Sequence, residues 1–264
     1  MNTFGFIGTG NMGGALAKAV SKKIDPKNIV LSNRTKEKAL ELSKETGCMV
    51  GDNNAAYSSD YVFMGVKPAM LAECIKSLEE ARNFNHTPVI ISMAAGTSIA
   101  SIEKMVNREC PIIRIMPNTP VAVGEGVILY CKNSLVSDEE TKVFLDALFY
   151  AGKCIEIDEK LIDAGCALSG CGPAFVQMFI EGLSDGGVYA GLPRNIATEL
   201  AARTLLGSAK LLLESGKNPI ELKDAVCSPG GTTIAGVRVL ESMGFEGMAM
   251  DAVIASYEKT LGQR

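Results

Sequence analysis

One stretch near the start decides the fold class of this chain: Phe4-Gly5-Phe6-Ile7-Gly8-Thr9-Gly10-Asn11-Met12-Gly13. Its first residues predict a short buried strand, and a helix is predicted to begin at Asn11. The glycines between them form a G-x-G-x-x-G turn in the strand-to-helix setting that dinucleotide binding requires. Gly8 permits the tight turn, Gly10 lets the backbone approach a pyrophosphate, and Gly13 lets the helix pack closely on the strand.

The first part of the chain repeats this alternation of strand and helix, which predicts a parallel sheet covered by helices. Strands are predicted at Phe4–Ile7, Ile29–Leu31, near Met49, Tyr61–Val66, Val89–Ser92, Ile112–Ile115, Val127–Tyr130 and Cys154–Ile157. After about Asp158 the β pattern stops and helical segments follow one another to the end. We therefore expect an α/β, doubly wound domain at residues 1–157 and an all-helical domain at residues 158–264.

Several helices of the second domain are apolar on more than one face. In the predicted helix Pro173–Ala190 the apolar side chains cannot share one stripe: Phe175, Val176, Met178, Phe179, Ile180, Leu183, Val188 and Tyr189. A domain of about a hundred residues lacks the volume to bury them all. We therefore expect two copies to interleave as a homodimer, with a well-packed monomer as the alternative.

Composition and charge exclude several classes of protein. The net charge of -4 argues against nucleic acid as a partner, because a surface that binds a phosphate backbone needs an excess of basic residues. No apolar run approaches the roughly 18 residues that span a bilayer, and the N-terminus resembles no leader. We therefore expect a cytoplasmic protein with no membrane partner. The eight cysteines are scattered without a CxxC pair, which favours reduced thiols in the core.

The chain has a single histidine, His86, within the polar stretch Asn83-Phe84-Asn85-His86-Thr87-Pro88, which predicts a loop. With one histidine and no cysteine pair, no metal site is expected. A histidine-based triad or proton relay is not expected either. Any proton donor must therefore be another type of residue.

The end of the second predicted strand indicates which dinucleotide is bound. Sites for NAD usually carry Asp or Glu there, to accept from the ribose 2′-hydroxyl. Here the strand ends in Ser32-Asn33-Arg34, without a carboxylate. Arg34 can pair with a 2′-phosphate, and Ser32 and Asn33 can donate hydrogen bonds to it. The pattern favours NADPH, with NADH allowed but less favoured, although an exposed Arg34 that touches nothing would give the same sequence.

Three later loops follow strands that end at the same edge of the sheet: Val66-Lys67-Pro68, Ala94-Ala95-Gly96 and Met116-Pro117-Asn118-Thr119-Pro120. Ligands of open α/β sheets bind at this edge. Each loop alone could be ordinary turn punctuation or a helix start. Three in succession indicate a binding edge.

These motifs and later ones resemble the pyrroline-5-carboxylate reductases over nearly the whole chain. The most specific match is Ser228-Pro229-Gly230-Gly231-Thr232-Thr233; others are Leu168-Ser169-Gly170, Gly172-Pro173-Ala174, Asp185-Gly186-Gly187 and Gly191-Leu192-Pro193. The resemblance implies a Rossmann domain followed by a helical dimerisation domain, with dimers that often form ring-shaped decamers. It implies hydride transfer from NADPH to the cyclic imine 1-pyrroline-5-carboxylate, a small molecule, to give L-proline in proline biosynthesis.

The resemblance also implies positions along the cofactor. Asn54 would contact the adenosine end, although the neighbouring Asn53 competes for this position. The loop Val66-Lys67-Pro68 and Ala95 would lie along the rest of the cofactor.

The proposed substrate needs little from the protein, because a protonated C=N carbon is already electrophilic. A neutral hydroxyl beside the nitrogen can orient the ring, and Thr233 is the candidate. Gly230, Gly231 and Thr232 open a predicted helix, whose free N–H groups and dipole would bind the substrate carboxylate with the Ser228 hydroxyl. The alternative is that this loop is only a turn and a helix cap.

Three other functions are compatible with the glycine turn. A β-hydroxyacid dehydrogenase needs a catalytic Lys, and that position, counted from Gly170 and Gly172, holds Val176 here. The chain therefore lacks the residue that a β-hydroxyacid dehydrogenase needs for catalysis. A non-catalytic NADP-binding regulator would not need the loop at residues 228–233. A reductase of a related cyclic imine stays open.

Overall fold

The computed structural model describes residues 2–82 and 86–262, which divide into two compact units, Met1–Gly170 and Cys171–Arg264. The first unit contains a sheet of eight strands, and its helices cover both faces. The strands are β1 Phe4–Ile7, β2 Ile29–Ser32, β3 Met49–Val50, β4 Tyr61–Met64, β5 Val89–Ser92, β6 Ile112–Pro117, β7 Gly126–Lys132 and β8 Gly152–Glu156. Their order across the sheet is β3-β2-β1-β4-β5-β6-β7-β8. The predicted doubly wound α/β fold is confirmed.

The sheet is not wholly parallel, and here the prediction from the alternating pattern was wrong. β7 runs antiparallel to β6, and β8 then runs parallel to β7. The connection from β6 to β7 spans only residues 118–125. A parallel crossover needs a dozen or more residues, so this short connection returns the chain in the opposite direction.

Seven helices of the first unit follow, in chain order: α1 Asn11–Ser21, α2 Lys36–Thr46, α3 Asn53–Tyr57, α4 Pro68–Glu80, α5 Ile99–Val106, α6 Asp138–Ala147 and α7 Ile162–Gly165. Alternate residues of the strands pack on opposite faces: Phe63 of β4 belongs to one buried cluster and Val62 to the other. Both faces are therefore covered, as the near-continuous apolar strands predict.

The segment after the last strand belongs to the first unit, although the sequence placed the boundary at residues 157/158. Arg114 of β6 is 3 % exposed, and its guanidinium lies 3.2 Å from Glu159 Oε1 and 3.1 Å from Asp163 Oδ1. Ile162 is fully buried in the same layer. These contacts hold residues 159–170 on the sheet, so the compact unit ends at Gly170.

The second unit is helical: α8 Gly172–Tyr189, α9 Arg194–Ser215, α10 Pro219–Ala225, α11 Thr232–Ser242 and α12 Phe245–Thr260. Within residues 171–262 only Ser184, Ala197 and Ala201 are buried in the single chain. Large apolar side chains such as Met178 and Leu213 are 70 % and 85 % exposed. One chain therefore leaves most of the apolar surface of these helices uncovered.

Within the described residues, one segment, Glu159–Tyr189, is long and apolar enough to cross a membrane by length and composition. The expectation that no segment would reach this length did not hold. A single segment of this kind is weak support for a membrane, because core helices of soluble proteins have the same composition.

Candidate active site

The glycine turn joins β1 to α1 in a conformation that requires glycine at two positions. Gly8 has φ +93°, and a Cβ atom there would lie 2.6 Å from the Gly65 carbonyl oxygen. A Cβ atom on Gly13 would lie 2.2 Å from the Gly8 carbonyl oxygen, so α1 packs directly on the turn. At Gly10, no described heavy atom lies within 4 Å of the Cβ position. Gly10 therefore faces open space that a phosphate could enter.

The N-terminus of α1 is open to an anion. Among the described residues no side chain caps Gly10, and the first turn of α1 holds no acidic residue. The first backbone bond of the helix joins Gly14 N to Gly10 O at 2.7 Å, so the preceding N–H groups have no partner within the helix. The buried Thr9 Oγ1 also has no hydrogen-bond partner in the described part of the chain. These unpaired groups fit a pyrophosphate.

Ser32 and Asn33 already make hydrogen bonds within the site. The Ser32 hydroxyl donates to Asn53 Oδ1 at 2.6 Å, and Ser32 is only 3 % exposed. Asn33 accepts from Thr9 N at 3.1 Å and donates through Nδ2 to Thr35 O at 2.9 Å. In this structure both side chains fix the glycine turn and its surroundings. A direct bond from either residue to a 2′-phosphate would require one of these contacts to be exchanged.

A groove of about 620 Å³ runs along the carboxyl ends of β1, β2 and β4. Its walls include Gly8, Gly10, Arg34, Lys38, Asn53, Gly65, Val66, Lys67, Met70, Cys74 and Ser77. Arg34 and Lys38 are both exposed, and each can reach an anion without giving up a buried contact. The end of β2 therefore presents two cations where an NAD site would carry a carboxylate.

The remaining predicted cofactor residues lie at three places. Asn54, in the first turn of α3, lines a neighbouring pocket of about 520 Å³ together with Asn53 and Arg34. Lys67 caps α4, and Pro68 is its first residue. Ala95 is exposed in the turn after β5, outside the residues that line the larger groove. Of the two competing asparagines, Asn53 is the one that lines both pockets.

Neither histidine nor thiolate chemistry is available in this groove. His86 is exposed, and its Nε2 lies 3.3 Å from the Ser59 carbonyl oxygen; the predicted loop residues 83–85 lie outside the described part. Burial, and secondarily the charge of Glu73, raises the pKa of the Cys74 thiol. Burial raises the pKa of the core thiols Cys110 and Cys131 to about 11. Among the described residues no cluster of three metal ligands was found.

In the second unit, the loop before α11 forms an open helix N-terminus. Gly230 has φ +68°, and Gly231 caps α11 without a side-chain hydrogen bond among the described residues. The Gly231 N–H donates to Ser228 O at 3.0 Å. A Cβ atom on Gly231 would lie 2.5 Å from Ser228 Oγ, so this hydroxyl folds over the loop. Thr232 and Thr233 are exposed in the first turn of the helix.

Known proteins match both units of the chain. Residues 159–262 match the family model for pyrroline-5-carboxylate reductase dimerisation, and residues 3–96 match that for NADP oxidoreductase, coenzyme F420-dependent. The pyrroline-5-carboxylate reductase of Aquifex aeolicus is 39% identical over 257 residues, 97% of this chain and 95% of its own. That of Synechocystis sp. is 40% identical over 260 residues, 97% and 96% of the two chains. This chain belongs to the pyrroline-5-carboxylate reductase family.

A solved structure of the pyrroline-5-carboxylate reductase family has the same fold throughout. The Plasmodium falciparum pyrroline carboxylate reductase, with NADP bound, is 34% identical, with a TM-score of 0.85. The alignment covers 98% of this chain and 97% of the other. The predicted Rossmann domain and helical dimerisation domain are therefore confirmed, and the chain is an oxidoreductase with a nicotinamide cofactor.

Two residues that line the groove, Lys38 and Gly65, were not predicted from the sequence. Lys38 was missed because it lies within α2, on a helix with many charged residues. Gly65 was missed because β4 was predicted to continue to Val66, whereas the strand ends at Met64. A glycine between an apolar run and a Lys-Pro pair was the signal that could have located this turn.

Proposed function

We propose that this chain, as a cytoplasmic homodimer, reduces 1-pyrroline-5-carboxylate to L-proline with NADPH. The observation that carries the proposal is an uncapped helix N-terminus at the loop Ser228–Thr233, in a chain whose relatives match it end to end. A non-catalytic NADP-binding regulator would have no use for this loop. When bound, NADPH supplies the hydride.

The residues of α11 would hold the substrate by its two polar ends. The N–H groups of Thr232 and Thr233, in the first turn of α11, lack partners within the helix and lie at its positive end, so they favour a carboxylate. Ser228 Oγ, folded over Gly231, can add a third donor. The exposed Thr233 hydroxyl can accept a hydrogen bond from the N–H of the protonated imine, and it can donate to the lone pair that appears as the nitrogen becomes an amine. No stronger acid is required, since the protonated imine is already electrophilic.

Two cations at the end of β2 favour NADPH over NADH. Arg34 and Lys38 line the groove beside Asn53, and the strand end carries no carboxylate to accept from a 2′-hydroxyl. A guanidinium can bind a phosphate through two parallel hydrogen bonds. The Plasmodium falciparum relative with NADP bound supports this choice.

A steady-state assay with 1-pyrroline-5-carboxylate and each reduced cofactor tests the function directly. We expect consumption of NADPH that depends on the imine. If NADPH binds but no turnover occurs, the chain is a regulator. If a six-membered cyclic imine has the higher kcat/KM, the chain is a reductase of a related substrate.

Replacing Arg34 with alanine is expected to lower kcat/KM for NADPH about tenfold and to leave that for NADH nearly unchanged. A charge-assisted hydrogen bond contributes about 1.5–3 kcal/mol, and an exposed pair lies at the lower end because water screens it. Lys38 remains and retains part of the attraction. Steady-state kinetics with both cofactors provides the measurement. Equal losses of kcat/KM for NADPH and NADH would show that Arg34 does not bind the 2′-phosphate.

The protein is expected to be a dimer or a larger assembly of dimers at micromolar concentration. The second unit buries only three described residues in a single chain, and a partner would cover its apolar helices in a large interface of the obligate kind. Sedimentation velocity measures this state, including a ring of five dimers. A monomer at that concentration would contradict the proposed homodimer.

A further inference from the structure

A cluster of three polar side chains, of which Tyr57 is buried and Glu79 and Arg108 are partly buried, joins helices α3 and α4 behind the cofactor groove. The Tyr57 hydroxyl donates to Glu79 Oε1, and Tyr57 is fully buried. Arg108 donates to the same carboxylate twice, from Nε to Oε2 at 2.9 Å and from Nη2 to Oε1 at 3.0 Å. These three residues are called the Tyr57 cluster below.

The Tyr57 cluster lies next to the residues of α3 and α4 that line the groove near the end of β2. These lining residues are called the α3 wall and the α4 wall. Tyr57 follows Asn53 by four residues, one turn further along α3. Glu79 follows Ser77 by two residues on α4. Asn53 and Ser77 both line the groove and the adjoining pocket, where Arg34 also lies. The bond from Tyr57 to Glu79 therefore connects the two helices whose other residues form these walls.

The α3 wall lies directly against a strand, whereas the α4 wall packs on the sheet through the buried side chains of Leu71, Ile75 and Leu78. A Cβ atom on Gly5 of β1 would lie only 1.9 Å from the Ala56 carbonyl oxygen, so α3 contacts the strand backbone directly. α3 cannot approach further or turn without losing this contact. The distance between the two walls therefore depends on the packing of α4 on the sheet and on the hydrogen bond from Tyr57 to Glu79 that joins α4 to α3.

The electrostatics of the Tyr57 cluster keep this connection in one protonation state. Burial alone would raise the pKa of Glu79, but the hydrogen bonds from Arg108 and Tyr57 outweigh it and lower that pKa. Burial, with the bond to Glu79, raises the pKa of Tyr57. Tyr57 therefore stays a donor and Glu79 a charged acceptor through the neutral range.

We propose that the Tyr57 cluster is a positioning device for the 2′-phosphoadenosine half of the cofactor: it sets the separation of the α3 and α4 walls on either side of Arg34. The inference rests on the proposed NADPH site. None of the three residues touches the groove, so each acts through Asn53 and Ser77.

The test compares Tyr57→Phe with a matched control, Tyr130→Phe. Tyr130 of β7 is also buried and donates to a glutamate, Glu156 Oε2, at 3.1 Å, but it lies on a strand that does not border the groove. Each substitution removes one hydroxyl and keeps the ring. The full-length variants are titrated by calorimetry with adenosine 2′,5′-bisphosphate and, separately, with nicotinamide mononucleotide, which lacks the adenosine half.

Tyr57→Phe is expected to raise the Kd for adenosine 2′,5′-bisphosphate about fivefold and to leave the Kd for nicotinamide mononucleotide unchanged. Tyr130→Phe should change neither. If the Tyr57→Phe protein loses thermal stability but binds adenosine 2′,5′-bisphosphate normally, the Tyr57 cluster only stabilises the fold and the proposal is wrong. Equal weakening of both nucleotides would also overturn the proposal.

A second substitution, Glu79→Gln, covers the case in which Tyr57→Phe does not fold. It keeps the side-chain shape and removes the charge between Tyr57 and Arg108, and the same selective loss is expected. If the wild type bound neither nucleotide, the proposed function would fail and this inference with it. If the wild type bound both and neither variant were selective, the inference alone would fail.

Discussion

A Gly10→Val protein is expected to fold normally and to lose cofactor affinity by at least about a hundredfold. No described heavy atom lies within 4 Å of the Cβ position at Gly10, so a side chain can begin there without a clash. Its backbone, at φ -71° and ψ -161°, is extended, which valine readily adopts. The side chain would instead occupy the space above the N-terminus of α1, where the pyrophosphate is proposed to bind.

The matched variant is Gly13→Ala, which adds less volume at a position with no room. Its Cβ would lie 2.2 Å from the Gly8 carbonyl oxygen, so the turn or the helix must shift. Thermal unfolding and calorimetry with NADP separate the two effects. Gly13→Ala should lower Tm, whereas Gly10→Val should keep Tm and lose binding. Normal NADP affinity in Gly10→Val would contradict the placement of the pyrophosphate at this turn.

Replacing Thr233 with valine should lower kcat by as much as about a hundredfold and leave NADP affinity intact. The substitution keeps the shape of the side chain and removes its hydroxyl. One neutral hydrogen bond contributes only about 0.5–1.5 kcal/mol, so a larger loss requires that the ring is also misplaced. Because the bond strengthens as the nitrogen becomes an amine, the loss is expected in kcat rather than in KM.

Ser228→Ala provides the comparison for Thr233→Val. Its hydroxyl would bind the substrate carboxylate, which carries the same charge before and after reduction. The expected effect is therefore a higher KM with little change in kcat. Steady-state kinetics of both variants with 1-pyrroline-5-carboxylate gives the two parameters. Unchanged kinetics in Thr233→Val would leave the loop as a turn and a helix cap.

The sequence predicted the glycine turn and its neighbours because their signals are local. The positive φ of Gly8 and the close approach of Gly13 to the Gly8 carbonyl oxygen both arise within a few residues of chain. The reversal at β7 was missed because the alternation of apolar residues says nothing about strand direction. Only the short connection at residues 118–125 carried that information.

At the site, residue types were predicted better than residue roles. The pattern Ser32-Asn33-Arg34 suggested three ligands of one phosphate, but the structure commits Ser32 to Asn53 and Asn33 to Thr9. Both partners come from elements distant in sequence, so no local pattern could reveal them. The role of Thr233 stays a prediction, since it came from a family resemblance and the hydroxyl is exposed in the single chain.

The ion pairs of Arg114 decide where this protein could be divided or recombined. A nucleotide-binding half cut after Ile157, at the end of the apparent β pattern, would leave the guanidinium buried without Glu159 and Asp163. Removing the partners of a buried charge costs about 3–5 kcal/mol, a large part of the roughly 5–15 kcal/mol that stabilises a domain. A half cut after Gly170 keeps both carboxylates. When helical domains are swapped between relatives, the exchanged part should therefore begin at Cys171. Residues 159–170 should be kept together with the sheet that they pack on.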